Sequence, residues 1–410
     1  MALAGCSLFK APPKAPPVVQ EVAAPKPVLP TPTATHFFTI DRDSDLVGYV
    51  QRVVVGKEDT LPDIARRFDV GYEEMVTANP GVDPWLPGVG REVVVPTQFV
   101  LPAAPRVGVV VNVAEMRIYY YPPRKKDESQ TVYTYPIGIG KVGWNTPEGT
   151  TKIVARQKDP VWIVPKSVRD EHAADGDILP AMVPAGPDNP LGQYEFRLSW
   201  PSYLIHGTNK PYGVGMRSSH GCMRLYPEDI AMLFDAVSLG TRVTVVNQPY
   251  LFGWRDGVLY MQAYTALEDD SRGKFKDRKR LLASLLTLKA GGSSLRQSIV
   301  AHSDEIDWDR VAALARAPHA IPVPVTGAVQ TGAVQAGAAQ APSAPAGADA
   351  QAAVDAVLAK SLLVENVLPE GSNWDGKTGL LVDEKTYNDL VGAREKPSTQ
   401  ALGALNPTRQ

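Results

Sequence analysis

The stretch best equipped for covalent chemistry is His206-Gly207-Thr208-Asn209-Lys210-Pro211-Tyr212-Gly213-Val214-Gly215-Met216-Arg217-Ser218-Ser219-His220-Gly221-Cys222-Met223-Arg224. A free thiol ionises near pH 8.5 and attacks as the thiolate, so a nucleophilic Cys222 needs a proton acceptor close by. Two imidazoles precede it, His206 and His220, and either could take the proton or hold the anion as an imidazolium. Backbone N–H groups around Gly221 and Cys222 could form an oxyanion hole, in which one donor is typically worth about 2.7–4 kcal/mol. Taken singly, a cysteine is more often a small buried hydrophobe, and a loop histidine a solvated one. The joint pattern of a histidine, a glycine-rich loop, Ser-His-Gly-Cys and then Arg224 argues for a nucleophile instead.

These groups need a frame. Tyr203-Leu204-Ile205 reads as a strand that ends on His206, and Gly207, Pro211, Gly213 and Gly215 let the chain turn back toward Cys222. Around them lie Val107–Val113 and Met116–Tyr121, joined by a tight turn at Ala114-Glu115 as a hairpin. Thr131–Ile139, Thr150–Arg156 and Arg242–Val246 read as further strands, and Pro227–Val237 as a helix with Ile230, Leu233 and Phe234 on one face. Residues 104–247 are thus expected to form a mainly-β sandwich or partly open barrel with one or two helices.

Before this unit, residues 46–98 show a β-α-α-β order. Val50–Val55 is a strand, Asp59-Thr60 offers a helix N-cap, and Leu61, Ile64, Ala65 and Phe68 recur at helical spacing. Gly71 is expected to end that helix; Tyr72–Val76 starts a second, closing at Asn79-Pro80-Gly81, and Glu92–Pro96 is the second strand. After it, residues 255–315 have helical character at Lys274–Leu288 and Trp308–Ala315. Residues 318–350 are low-complexity, with Thr326–Gln330 repeated as Thr331–Gln335. In the C-terminal segment, 351–410, Ala352–Leu363 is a candidate helix.

The 410-residue chain has a net charge of −2, which gives no sign of a nucleic-acid binder. No stretch approaches the roughly 18 apolar residues that span a bilayer. Two cysteines, Cys6 and Cys222, allow one disulfide at most, and each sits in its own context. Leu3-Ala4-Gly5-Cys6 resembles a bacterial lipobox, although only five residues precede Cys6, so the expectation is a lipid-bearing cysteine with a signal that begins upstream of Met1. The Pro-, Ala- and Val-rich run from Lys10 to Pro32, within a linker spanning 1–45, suits an extended tether.

Two resemblances follow from these residues. Asp59-Thr60-Leu61, Ile64-Ala65, Asn79-Pro80 and Leu86-Pro87-Gly88 resemble the LysM module, which binds peptidoglycan and chitin; Lys57-Glu58 displaces the usual glycine, here Gly56, from its place before Asp59. The resemblance implies glycan contacts at Asp59, Thr60 and Asn79. The run from His206 to Arg224 resembles the signature of the YkuD-type L,D-transpeptidase catalytic domain, as in ErfK/YbiS-like envelope enzymes. That likeness implies Cys222 as nucleophile, His206 as general base and acid, and His220 as the histidine that orders the loop. It further implies Ser219 and Gly221 setting loop geometry, and Arg224 either holding a substrate carboxylate or fixing the loop. Ile137-Gly138-Ile139-Gly140-Lys141 and Asn145-Thr146-Pro147-Glu148-Gly149 resemble family segments near the cleft but read as glycine-rich hairpins.

The implied reaction is acylation of Cys222 by a tetrapeptide stem at diaminopimelate, with loss of D-alanine, then transfer to an amine. The partners would be peptidoglycan stem peptides and glycan, and a Braun-type lipoprotein as a further acceptor, in the periplasm of a Gram-negative envelope. No cofactor is expected. A zinc site from His206, His220 and Cys222 is the main chemical rival, but no general-base carboxylate in an HExxH helix accompanies it, and no metal is expected. Cysteine peptidases of the papain type place Cys before His, the reverse of the order here. Remaining alternatives are a hydrolase acting on the same bond and a non-catalytic wall tether. Trp144 and Trp162 read as packing residues, and His36, His172, His302 and His319 as surface residues.

Overall fold

The computed structural model describes residues 28–124, 129–270, 293–327 and 347–370, with 374 and 376. Cys6, the linker up to residue 27, the segment 274–288 for which a helix is expected, residues 328–346 and those from 377 onward lie outside the described residues.

A nine-stranded sheet forms the frame. Its spatial order is Phe37–Ile40, Gln130–Pro136, Arg117–Tyr121, Gly108–Asn112, Arg242–Val246, Gly149–Lys158, Tyr194–Leu198, Leu204–His206 and Met223–Arg224. Two neighbour pairs are parallel, Gly108–Asn112 with Arg242–Val246 and Leu204–His206 with Met223–Arg224. The expected hairpin pairs Val111 with Ile118, and Met116 closes its turn at φ 55°.

Alternation along the strands assigns the two faces. Val109, Val111, Ile118 and Tyr120 pack with Phe196, Ile205, Met223 and Leu225 under Ile230 and Leu233 of helix Pro227–Ala236 and its C-cap Val237. Val110, Tyr119 and Tyr121 face the other way, onto Ile40, Val47 and Phe99. Burial on both faces explains why Val109-Val110-Val111 is an unbroken apolar run. A second helix, Lys166–Ala174, was not legible: its residues are mostly polar and it buries one apolar side chain, Val168.

The β-α-α-β unit consists of Gln51–Val54, Leu61–Arg67, Tyr72–Ala78 and Glu92–Val95. Thr60 caps the first helix in a capping box with Asp63. Gly71 does not end that helix. Phe68 is its C-cap, and Gly71 instead precedes the second helix as its N-cap, where its N–H donates to Glu74 Oε2 at 2.8 Å. A third strand, Leu362–Val364, joins this small sheet in parallel beside Gln51–Val54. It follows helix Ala348–Lys360, which starts earlier and stops sooner than the pattern suggested because Leu362 and its neighbours are taken into the sheet. The hairpin Tyr250–Arg255/Val258–Ala263 and helices Trp308–Arg316 and Ala348–Lys360 share a core with Val50, Ala78 and Val94 of the small module.

Buried charges weld the module to the large sheet. Arg117, fully buried, donates to Glu74 from Nε and Nη2 at 3.0 and 2.7 Å, and Nη2 also reaches Asp69 O at 2.9 Å. Arg66 donates to Glu228 from Nε and Nη2 at 2.8 and 2.9 Å, with both side chains almost wholly buried. His36, expected at the surface, is buried in the same seam: its Nδ1 lies 3.0 Å from Asp69 Oδ2 and its ring stacks near Tyr135. Its polarity made it look solvated, but the partner that makes burial tolerable is supplied by the module. His172, His302 and His319 are half-buried.

Asp229 lies in this seam with no exposure, its carboxyl group set against that of Asp69 with no cation among the described residues bonded to it. Burial, then the nearby charge of Asp69, pushes its carboxyl well above the usual range. An acid whose pKa is raised by folding favours the native state below its unfolded pKa and loses that contribution as pH rises through the folded value. Asp229→Asn is therefore expected to raise the thermal midpoint at pH 7, by roughly 1–2 °C for about 1 kcal/mol in a chain of this length. The gain should shrink toward pH 4. A melting series against pH tests it, and an unchanged or lower midpoint at pH 7 would count against a buried acid.

Candidate active site

The site begins where strand Leu204–His206 runs out. His206 is 4 % exposed, and its Nδ1 stands 2.6 Å from Gly207 O. A carbonyl can only accept, so Nδ1 carries the proton and Nε2 keeps its lone pair. Burial pushes the imidazole down to about 3, the charge of Arg224 adds to this, and backbone bonds to Gly207 and Leu191 act in the opposite direction. At neutral pH His206 is an uncharged base.

From Gly207 the chain passes a short 3-10 turn, Pro211–Gly213, and Gly215 in the left-handed region at φ 79°. It then forms a strand, Arg217–Ser219, parallel to Ile139–Gly140. The turn into Cys222 is closed by three contacts. Ser219 Oγ donates to Cys222 O at 2.6 Å and accepts the Gly221 N–H at 3.2 Å, and Thr146 Oγ1 donates to Gly221 O at 2.9 Å. Gly221 has φ 103°, and a Cβ there would stand 3.1 Å from the Tyr203 ring, so both conformation and space call for glycine. The chain leaves as strand Met223–Arg224, in parallel register with Ile205 and His206. Cys222 thus sits at the entry to the strand that flanks His206.

The Cys222 thiol is half-buried, with Sγ 3.6 Å from Ser202 O. Burial pushes it up to about 11, while a backbone bond from Leu204 and the charge of Arg224 hold it lower, and Glu195 raises it further. It rests as a thiol. Glu195 is itself wholly buried opposite His206 in the neighbouring strand, with Oε1 held by Arg197 Nε at 2.9 Å.

His220 faces elsewhere. Its Nε2 lies 2.7 Å from Glu171 Oε2, and Glu171 Oε1 meets Lys141 Nζ at 2.7 Å. The edge of Trp144 packs at 4.9 Å and the His172 ring at 5.6 Å. Burial lowers the His220 pKa, against the bond to Glu171. Arg224 Nη2 donates to Ser218 O at 2.7 Å, and burial lowers its pKa. In this structure its guanidinium braces the loop.

Sequence reading brought His206, Ser219, His220, Gly221, Cys222 and Arg224 together, and they do lie together. It missed Thr146, Lys141 and Glu171. Thr146 sat in a segment read as a plain hairpin, and Glu171 on the helix that polar composition concealed. Asp59, Thr60 and Asn79 lie in the small module and are engaged internally. Asp59 accepts from Gly56 N at 2.8 Å and Arg67 Nη2 at 3.0 Å, Thr60 caps its helix, and Asn79 bridges Met75 O and Val94.

The residues of this site fall within a span that matches a known family. The L,D-transpeptidase catalytic domain called YkuD matches residues 106–245. A probable L,D-transpeptidase ErfK/SrfK of Salmonella typhimurium is 40 % identical over 287 residues, covering 69 % of this chain and 88 % of that protein. A probable L,D-transpeptidase YbiS of Escherichia coli is 42 % identical over 228 residues, covering 55 % and 73 %. A third, YcfS of Escherichia coli, is 44 % identical over 201 residues, covering 48 % and 62 %. The first match is longer than the catalytic domain, so it takes in flanking chain as well. The chain belongs to the YkuD-type L,D-transpeptidase family.

A resting thiol and neutral imidazole predict a specific pH profile. Alkylation of Cys222 by iodoacetamide, followed by mass spectrometry, should accelerate about tenfold per pH unit from 6 to 9, as thiolate fraction grows below the thiol pKa. A rate flat across that range would mean a preformed thiolate–imidazolium pair.

Proposed function

We propose that Cys222 is the nucleophile of this L,D-transpeptidase and His206 its proton carrier. The observation that carries the assignment is the Nδ1–H bond of His206 to Gly207 O, which leaves Nε2 as acceptor beside the strand that Cys222 opens. His220, tied to Glu171, orders the loop instead. Ser219 and Gly221 hold the turn. Because the Gly221 N–H is bonded to Ser219, an oxyanion role for it requires that 3.2 Å bond to be exchanged for the substrate oxygen. Arg224 braces the loop and favours the thiolate; its charge also suits a substrate carboxylate.

In the proposed cycle the Cys222 proton passes to His206 Nε2 as Sγ attacks the carbonyl at the L centre of diaminopimelate in a tetrapeptide stem. The tetrahedral intermediate collapses with cleavage of the C–N bond, and His206 returns the proton to the departing D-alanine amine. An acceptor amine then attacks the thioester, gives its proton to His206 and releases the thiol. Each charge formed stabilises the other, which makes the low basicity of the resting imidazole tolerable. No cofactor enters. The acceptor amine belongs to a second stem, giving a 3→3 cross-link, or to the terminal lysine of a Braun-type lipoprotein.

Residues 46–98 are read as a LysM-like wall-binding module on the strength of their β-α-α-β order. With Asp59, Thr60 and Asn79 engaged internally, their part in glycan recognition is to shape the loops. A lipid on Cys6 would hold the protein at a membrane of the periplasm, with 104–247 as the catalytic unit.

Incubation with tetrapeptide muropeptides and mass spectrometry of the products tests the assignment. Cys222→Ala should release no D-alanine and form no thioester, and His206→Ala should lower turnover by about 10²–10⁴-fold. His220→Ala should keep more activity than His206→Ala. The opposite ranking, in folded protein, would transfer the proton-carrier role to His220.

A further inference from the structure

We infer that the small module is a working part of the catalytic centre: its second helix positions the loop between His206 and Cys222. This rests on the assignment of those two residues as the reacting pair. The helix Tyr72–Ala78 presents its first N–H groups to the loop backbone, with Tyr72 N donating to Val214 O at 3.3 Å and Glu73 N to Gly215 O at 3.1 Å. The first N–H groups of a helix have no partner within it, so they are available for such contacts.

Two glycines make the approach possible. A Cβ on Gly215 would lie 2.2 Å from Tyr72 N and 2.4 Å from Gly71 Cα, and one on Gly71 would lie 2.9 Å from Gly215 Cα. Backbone therefore meets backbone, which no pair of ordinary residues would allow. The same helix is anchored from behind, because Glu74 both caps the Gly71 N–H and takes the two-pronged bond from buried Arg117 of the large sheet. The first helix is held independently by Arg66 to Glu228, on the helix that follows Arg224.

Beyond the contact, the loop continues directly into Arg217–Ser219, whose Ser219 O accepts from Lys141 N at 2.9 Å and whose Oγ closes the Cys222 turn. The segment from Gly207 to Met216 is otherwise held by one 3-10 turn and by bonds at its two ends, Gly207 N to Tyr194 O and Ile139 N to Met216 O, both at 3.0 Å, so the module contacts brace its middle. Moving the helix moves Gly215, and with it the strand that carries Ser219 toward Cys222. Gly71, Glu74 and Gly215 are therefore positioning residues for the transpeptidase reaction, although Gly71 and Glu74 lie outside the span that matches the catalytic domain.

The test uses the full chain. Gly71→Ala inserts a methyl roughly 1 Å inside the usual 3.5–4.0 Å carbon contact with Gly215 and leaves every charge in place. A misplacement of that size can cost about 10²-fold in rate. The expected result is a fall of that order in kcat for D-alanine release with KM within about twofold, and a parallel fall in the alkylation rate of Cys222. Leu251→Ala, in a core cluster with Leu46, Val100, Tyr264 and Ala320 that contains no residue of helix Tyr72–Ala78, serves as a control for lost stability and should leave both rates unchanged. Glu74→Gln repeats the test from the anchor. Hydrogen exchange on the unaltered protein supplies a reading that no folding defect can obscure: amides of 214–219 should open together with those of Tyr72 and Glu73. Wild-type rates in folded Gly71→Ala protein, an equal loss in Leu251→Ala, or loop amides that open without the helix would each overturn the inference. Because alkylation reads Cys222 without substrate, failure here is separable from failure of the proposed reaction.

Discussion

Arg117 has no exposed surface, yet its guanidinium stays charged because Glu74 sits against it with two hydrogen bonds. Burial opposes that charge and the carboxylate opposite restores it, so the net shift keeps the arginine ionised. Such a pair contributes little as a sum, but removing one partner strands a charge in the interior and typically costs about 3–5 kcal/mol. The pair therefore acts as a condition on the fold: sheet and module must dock in one register or not at all. Phe99 lies 4.0 Å from the guanidinium on one side, and Asp69 O accepts a further bond. Glu115 extends the polar seam. It accepts from Tyr119 and from Tyr264 of the C-terminal hairpin, and burial pushes it up to about 8, with the charge of Glu74 adding to this.

The two histidines near Cys222 show how one residue type takes two roles through its partners. A carbonyl at His206 Nδ1 and deep burial produce an uncharged ring, the state that the proposed proton transfer needs. A carboxylate at His220 Nε2 produces an anchor, joined through Glu171 to Lys141. The difference lies in what the neighbouring chain offers each ring, and neither the spacing nor the motif alone distinguishes them.

How much of this could be read beforehand follows a physical line. Unbroken β-branched runs such as Val109 to Val111, the Thr60 cap and the Ser-His-Gly-Cys turn are local signals, and each appears where it was expected. Arg117, Glu74, Arg66 and His36 were opaque because a charged residue in a one-dimensional pattern looks solvated; only the docked partner reveals that it is buried. Gly71 looked like a helix stop because glycine serves that purpose often, whereas here its missing side chain admits a second backbone. The helix carrying Glu171 has too little apolar surface to announce itself. In the site, Cys222, both histidines and the turn residues were visible in the motif, while Thr146 and Lys141 come from segments whose proximity is a property of the sheet.

The strand Leu362–Val364 has a bearing on how the molecule is made. It lies beside Gln51–Val54, and Arg52 Nε donates to Ser361 Oγ at 2.8 Å across a sequence separation of 309 residues. Asn366 closes the same seam, donating to Val54 O at 3.0 Å and to Asp59 Oδ2 at 2.6 Å. Pairing between such distant segments must overcome loop-closure entropy before it is rewarded, which slows folding. The small module is consequently synthesised before the catalytic unit and completed only after it. Until the chain beyond residue 360 arrives, the Gln51–Val54 strand has an open edge, able to recruit a strand from another molecule.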